Sequence, residues 1–250
     1  MKRLENKVAL VTGAGGAIGR GISLTYAAEG AVVACVDLDR AHCEETVSLI
    51  RAAGGKAAVY TTDISDRLAV GELVASIEKD HGGLDIVVNN AMWIQYDPIA
   101  EVQESVVDRM FGVGLKAIIW ITQAAVPAME RRGGGSIVNI SSIAAIRGSK
   151  NRIVYCTVKG GVTAMTLECA VELGPLNIRV NAIAPGAVLN PGSAARLGAE
   201  AIQLRLDTTP MGRLPVADDM AGVALFLASD DSRFVTGTMI PVDGGRRIVS

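Results

Sequence analysis

The feature that most constrains this chain is a rhythm. Short apolar runs, at Val8–Thr12, Ala31–Val36, Ala57–Thr61, Ile86–Asn89, Ser136–Ser141, Arg179–Ala184 and Met239–Val242, read as strands. Between and after them lie longer segments of helical period, at Ile18–Glu29, Arg40–Ala53, Leu68–Asp80, Glu101–Arg131, Val154–Leu173, Ala194–Leu206 and Val216–Ala228. Strands alternating with helices predict a doubly wound α/β fold: a parallel sheet of about seven strands, joined by right-handed crossovers, with helices on both faces. No repeat, low-complexity tract or linker interrupts the 250 residues, which predicts a single domain spanning 1–250.

Composition narrows the function classes. A formal charge of -2 leaves no basic footprint for nucleic acid. No apolar run reaches the roughly 18 residues of a membrane span, so none is expected. The N-terminal apolar run leads directly into a glycine turn and reads as a first strand rather than a leader. Cys35, Cys43, Cys156 and Cys169 have neither framework nor C-x-x-C spacing, which fits reduced thiols in a cytoplasmic protein. Cys156 beside Tyr155 reads as a packed thiol, or as a nucleophile. His42 and His81 lie far apart in polar helical stretches, so no metal site is expected.

The first strand runs into Thr12-Gly13-Ala14-Gly15-Gly16-Ala17-Ile18-Gly19 and then a helix. Bare backbone followed by a helix start suits a dinucleotide pyrophosphate, or is a plain βα turn. The second strand ends at Asp37. A carboxylate there can accept hydrogen bonds from ribose hydroxyls and repels a 2′-phosphate, which favours NAD; it could equally cap the next helix. Asp63 and Asn89-Asn90 put polar groups at the ends of the third and fourth strands, tracing one crevice.

Tyr155 and Lys159 stand four residues apart at the start of a helical segment, on one helix face. A free tyrosine titrates near pH 10, and bringing it to neutrality takes about 4 kcal/mol at 1.36 per unit. A neighbouring ammonium in a desolvated cleft can supply that. Ser142, ending the apolar run SIVNIS, could hold a substrate oxygen meanwhile. Alternatively Tyr-x-x-x-Lys is an ordinary surface pair.

With these pieces, Pro185-Gly186, the PMGRL stretch and the closing PVDGG, the sequence resembles the short-chain dehydrogenase/reductase family over nearly its whole length. The resemblance implies a Rossmann-like domain, a nicotinamide cofactor and alcohol–carbonyl interconversion. By it Ser142 orients the substrate oxygen, Tyr155 is the acid/base, and Lys159 binds the nicotinamide ribose and lowers the tyrosine pKa. Gly13, Ile18, Asp37, Asp63, Asn90 and Val188 line the cofactor, with Gly15, Ala17, Leu38, Ile64, Ala91, Pro185 and Gly186 beside them.

Three departures stand out. Ala17 replaces the middle glycine of the family turn. Met92 follows NNA where glycine is usual. Gly114 stands where the family has an asparagine that supports a proton relay. An alternative to an active enzyme is therefore a cofactor-binding regulator or scaffold; a lyase or epimerase using the same cofactor is a further one.

Pocket walls are expected from Met92–Tyr96, Ala144–Arg152 and a substrate lid around 187–215. Trp93 suggests an apolar wall. By resemblance to hydroxybutyrate dehydrogenases, Arg152 and Gln95 would meet a substrate carboxylate, making a hydroxy acid one hypothesis; a sugar, polyol, cyclic alcohol or steroid fits as well. The Val154–Leu173 helix carries more apolar surface than one sheet face needs, through Val158, Val162, Met165, Leu167 and Val171. With the family habit this suggests a homotetramer or homodimer.

Overall fold

The computed structural model describes residues 2–188 and 198–249. Its elements are β1 (Val8–Thr12), α1 (Ala17–Ala28), β2 (Val32–Asp37), α2 (Arg40–Ala52), β3 (Lys56–Thr61), α3 (Arg67–His81), β4 (Ile86–Asn89), α4 (Glu104–Phe111), a π-helical segment (Gly112–Lys116), α5 (Ala117–Arg131), β5 (Gly135–Ile140), α6 (Ile153–Leu173), β6 (Ile178–Pro185), α7 (Ala199–Asp207), α8 (Ala217–Ala228) and β7 (Met239–Val242). The seven strands form one sheet in the order β3-β2-β1-β4-β5-β6-β7, with every pairing parallel. The chain winds outward from β1 to β3, then returns and winds the other way from β4. That reversal opens a crevice at the carboxyl ends of β1 and β4, where ligands of doubly wound sheets bind.

The strands read as continuous apolar runs because both faces of the sheet are covered. In β1, Ala9 and Val11 pack with Ile22 and Tyr26 of α1, Val47 and Ile50 of α2, and Met220 and Ala224 of α8. Val8 and Leu10 point the other way, to Leu73 and Ile77 of α3, Ile121 and Ala125 of α5, and Leu173 of α6. A smaller cluster, Val106, Met110, Val154 and Val158, joins α4 to α6, with Met92 and Trp93 packed against it.

Two expectations need correction, and a third falls partly outside the described residues. The helix expected over Glu101–Arg131 is broken: a 3₁₀ turn covers Ile99–Glu101, α4 begins at Glu104, and the π-helical segment separates α4 from α5. Two glycines give that stretch low helix propensity, and a close contact at Gly114, described below, accompanies the wider turn. The helix expected to start at Ala194 is described only from Ala199, and the earlier part, like the middle of the expected lid, lies outside the described residues. On α6, Val158 and Val162 are buried in the protein's own core, whereas Leu167 and Val171 stay 51% and 79% exposed. The surplus apolar surface is therefore narrower than the sequence suggested.

Residues Glu104–Arg131 together are long enough to cross a membrane, and an 18-residue window within them is apolar enough, with a mean hydropathy of 1.4. Here α5 lies on the sheet, with Ile118, Ile121 and Ala125 buried, and α4 packs against α6.

Candidate active site

The cleft at the carboxyl ends of the strands has a volume of about 1880 Å³. Small-molecule pockets run to about 300–1,000 Å³, so there is room for a dinucleotide and a second molecule. Each single residue named from the sequence for cofactor, catalysis or substrate lines it, as does the Met92–Tyr96 wall; Ala145, Ile146 and Asn151 of the second wall do not, and of the described part of the expected lid only Ala187, Val188 and Arg205 do.

Its floor is the turn between β1 and α1. Gly13 has φ +65, and a Cβ there would come within 2.7 Å of the Asn90 side chain; a Cβ on Gly19 would lie 2.2 Å from the Gly13 carbonyl. A side chain at either place would push the turn away from Asn90 or from α1, so glycine keeps this backbone close-packed. The helix start is bare as well. Asp39 caps α2 and Asp66 caps α3, each accepting from backbone N–H groups, but the first turn of α1, behind Gly16, has no side-chain cap. Uncapped N–H groups beside close-approach backbone are what a pyrophosphate needs. Ala17, in place of a glycine, is half-exposed at this wall.

Asn90 acts partly as a brace. Its amide donates to the Thr12 and Gly13 carbonyls at 2.9 and 3.2 Å, while the Thr12 hydroxyl accepts from the N–H groups of Asn90 and Ala91. The ends of β1 and β4 are thereby tied together. Asp37 accepts from Gly15 N at 2.9 Å, which fixes its carboxylate beside the turn. Leu38 next to it is 64% exposed. Asp63 accepts from the N–H and hydroxyl of Ser65, and these bonds hold its carboxyl below the usual range. Ile64 is buried against the sheet.

Ser142 follows β5, and Tyr155 and Lys159 stand on the first two turns of α6. Burial pushes the Tyr155 phenol up to about 12; a hydrogen bond with Ser142 works in the opposite direction, as does the charge of Arg152, while Tyr96 adds to the rise. Lys159 is 4% exposed. Its Nζ donates to the Ile140 carbonyl at 2.7 Å and lies 6.0 Å from the Tyr155 ring centre. Burial pulls its ammonium down to about 8. The expectation that Lys159 lowers the tyrosine is therefore not met in this form of the protein, where desolvation of the phenol dominates.

The departures Met92 and Gly114 prove to be neighbours. A Cβ on Gly114 would lie 2.5 Å from Met92 Sδ and 2.7 Å from Val158 Cγ1. The methionine thioether fills the space next to the backbone where an asparagine side chain would begin.

Residues 13–247 match the family model described as enoyl-(acyl carrier protein) reductase. The chain is 38% identical over 243 residues to a 3-oxoacyl-(acyl-carrier-protein) reductase, FabG, of Thermotoga maritima, covering 97% of this chain and 98% of that protein. The chain belongs to the short-chain dehydrogenase/reductase family. Two solved members superpose closely. A 7α-hydroxysteroid dehydrogenase complexed with NADH and 7-oxo glycochenodeoxycholic acid has a TM-score of 0.94 at 34% identity, covering 97% of this chain and 95% of its own. A putative 2-deoxy-D-gluconate 3-dehydrogenase from Agrobacterium tumefaciens, with bound NADP, has a TM-score of 0.91 at 35% identity and 98% coverage of both chains.

As a short-chain dehydrogenase/reductase, the protein is an oxidoreductase for alcohols or ketones with a nucleotide cofactor. In its cleft Tyr96 and Arg205 fall within spans expected as walls, whereas Arg246 was not foreseen. Tyr96 stacks edge-on against Tyr155 with ring centres 5.6 Å apart, and Arg205 and Arg246 reach the same wall from α7 and from the turn after β7. Within the expected lid, Arg205 also carries a local signal: no acidic residue stands three or four positions away on its helix.

Proposed function

We propose that the protein interconverts a secondary alcohol and a ketone with NAD(H), using Tyr155 as the acid/base. The observation that carries this reading is the gathering of Ser142, Tyr155 and Lys159 in the cleft that also holds the uncapped glycine turn. Gly13, Gly15, Ala17 and Ile18 would take the pyrophosphate, Asp37 and Leu38 the adenosine, Asp63, Ile64, Asn90 and Ala91 the central part, and Pro185, Gly186, Val188 and Lys159 the nicotinamide end. Bound there, a nicotinamide supplies the hydride acceptor or donor.

The chain's own groups handle the proton. With the phenol raised by burial, Tyr155 keeps its proton at neutral pH, which suits donation to a carbonyl oxygen in reduction. In oxidation the phenol must be lowered; the charge of Arg152 already acts that way, and the Lys159 ammonium one helical turn away would add to it. Ser142 would hydrogen-bond the oxygen whose charge changes. Replacing Tyr155 by Phe should reduce turnover by about 10²- to 10⁴-fold while leaving cofactor affinity intact, followed as NADH absorbance over a panel of alcohols and ketones. Undiminished turnover in that variant would sink the reading.

The preference for NAD rests on the fixed Asp37 carboxylate, beside which a 2′-phosphate is repelled. Arg20 and Arg40, the cations nearby in sequence, are held by Glu45 and Glu44. Asp37→Ala should narrow the NADH/NADPH ratio of kcat/KM by about tenfold or more; an unchanged ratio would count against NAD. One observation favours a second reading, a cofactor-binding member without turnover: the relay position is Gly114, with Met92 packed over it. That reading stands if NADH binds and no substrate in the panel turns over.

The substrate side of the proposal is a hydroxy or keto acid met by Arg152, with Trp93 and Gln95 on the same wall and residues 187–215 as its cover. Exposed Leu167 and Val171 on α6 suit burial against a second copy, as a dimer or tetramer, which light scattering would read directly. A cytoplasmic location suits the four free cysteines.

A further inference from the structure

We infer that the substrate end of the cleft is a site for a multiply charged anion: Arg147, Arg152, Arg205 and Arg246 together receive an alcohol or ketone carrying two or more negative charges, as a phosphate ester or a polycarboxylate. The inference rests on the oxidoreductase reading and extends its single Arg152 contact to a four-cation site.

The four guanidinium groups come from separate places in the fold. Arg147 and Arg152 lie between β5 and α6, Arg205 on α7, and Arg246 after β7; all are half-buried and all line the cleft. They are interlocked. Arg147 Nη1 donates to the Arg246 carbonyl at 2.5 Å, Arg246 Nη1 donates to the Arg205 carbonyl and the Thr208 hydroxyl, and Arg205 Nη1 donates to the Ala201 carbonyl. Arg152 lies 4.6 Å above the Tyr96 ring, which in turn meets Tyr155 edge-on. The cluster is therefore next to the proposed reacting tyrosine. Burial first, and then the charge of its neighbours, pulls Arg246 and Arg205 below the usual guanidinium range.

Such a cluster calls for negative charge, and no carboxylate among the described residues pairs with it; Asp97, which lines an adjoining pocket with Arg152, accepts from Gln95 instead. Arg3, Arg20, Arg40, Arg131, Arg132 and Arg213 each pair with a carboxylate, whereas none of these four does among the described residues. The acidic residues lining the cleft stand on other walls: Asp37 on β2, Glu45 on α2, Asp63 after β3 and Asp108 on α4. Residues 189–197 contain Arg196 and no Asp or Glu. A structural role of the kind Arg179 plays is a poor match. Arg179 uses both terminal nitrogens on Leu227, Ser229, Ser232 and Val235. Arg152 makes no hydrogen bond among the described residues, and the other three use Nη1 alone, leaving their remaining donors for oxyanions. One carboxylate would leave most of this half-desolvated charge uncompensated; two or three negative charges match it.

The test is calorimetric titration with whichever of NADH and NADPH the protein binds held saturating, so that the glycine turn is already filled. Acetate, citrate and pyrophosphate are the probes. Citrate or pyrophosphate should bind at least about tenfold more tightly than acetate, with the stronger of the two distinguishing a carboxylate from a phosphate tail. Arg152→Gln, which removes no hydrogen bond among the described residues, should weaken that binding about tenfold, and Arg205→Gln should do the same. Equal affinity for all three probes, or affinity unchanged in both variants, overturns the site. Tight citrate binding without turnover on any alcohol would uphold the site and remove the oxidoreductase reading, while turnover on neutral alcohols with no preference for citrate would remove the site alone.

Discussion

Lys159 is a buried cation whose burial is felt as stability at the level of single residues. Its ammonium is inside the protein, bonded to the Ile140 carbonyl, and burial has moved it from the ordinary 10.5 to about 8. Below pH 8 the lysine is charged in both folded and unfolded chains, and burying that charge costs stability. Between pH 8 and 10.5 the unfolded chain still binds the proton and the folded one does not, so stability attributable to this residue rises with pH. The rise is of the order of 3 kcal/mol at 1.36 per unit. Tyr155 runs the opposite way, since its raised phenol stabilises the fold below pH 10 and loses that contribution as pH climbs toward 12. The expected outcome is that wild type gains on Lys159→Met between pH 8 and 10 in urea melts; a flat difference across that window would refute it. Ser142, Tyr155 and Lys159 were legible in the sequence because one helical turn and one strand end place them. The sign of the tyrosine shift was not, because it depends on how much water the folded cleft removes. The meeting of Arg205 with Arg246 was not, because it depends on packing between elements distant in sequence.

Among the elements, the π-helical segment between α4 and α5 shows how two local departures can be one adjustment. Met92 and Gly114 read separately as a replaced glycine after NNA and a missing relay residue. In the fold they are complementary, since the thioether sits where any side chain on Gly114 would start. Gly114→Asn must therefore displace Met92 and crowd Val158, and overpacking of this kind costs about 1–3 kcal/mol. Met92→Gly should relieve part of that cost when combined with it, leaving the Val158 contact. A double-mutant cycle on thermal or urea stability should show a favourable coupling of about 0.5–3 kcal/mol; additive effects would mean that the two positions are unrelated. The alternation of strands and helices was readable because both periods are written in apolar residues. The break after Phe111 was not, because apolar spacing continues through it and the wider turn reflects a contact made from β4's loop.

At the scale of the molecule, the sheet separates its two ends by task. The carboxyl ends of the strands open into the cleft; the amino ends of β1, β4 and β5 are closed around Asp85. This carboxylate is 4% exposed. It accepts from Val8 N at 2.9 Å and from Arg132 Nε at 3.1 Å, with Lys7 at 3.7 Å. Its backbone pairs with β1 and β5 through Val8 and Ser136. None of this was visible in the sequence, where Asp85 is one acid at the start of an apolar run. Asp85→Ala leaves a buried N–H without an acceptor and Arg132 without its partner. Breaking a buried pair costs about 3–5 kcal/mol, and the lower figure applies because Arg132 and Lys7 reach solvent. The substitution lies at the end of the sheet away from the cleft, so the remaining folded protein should bind cofactor and turn over substrate at wild-type kcat and KM. Urea denaturation beside steady-state kinetics distinguishes the two ends. Loss of stability with intact kinetics supports the separation, and a fall in kcat matching the fall in stability would show that the two ends of the sheet are coupled.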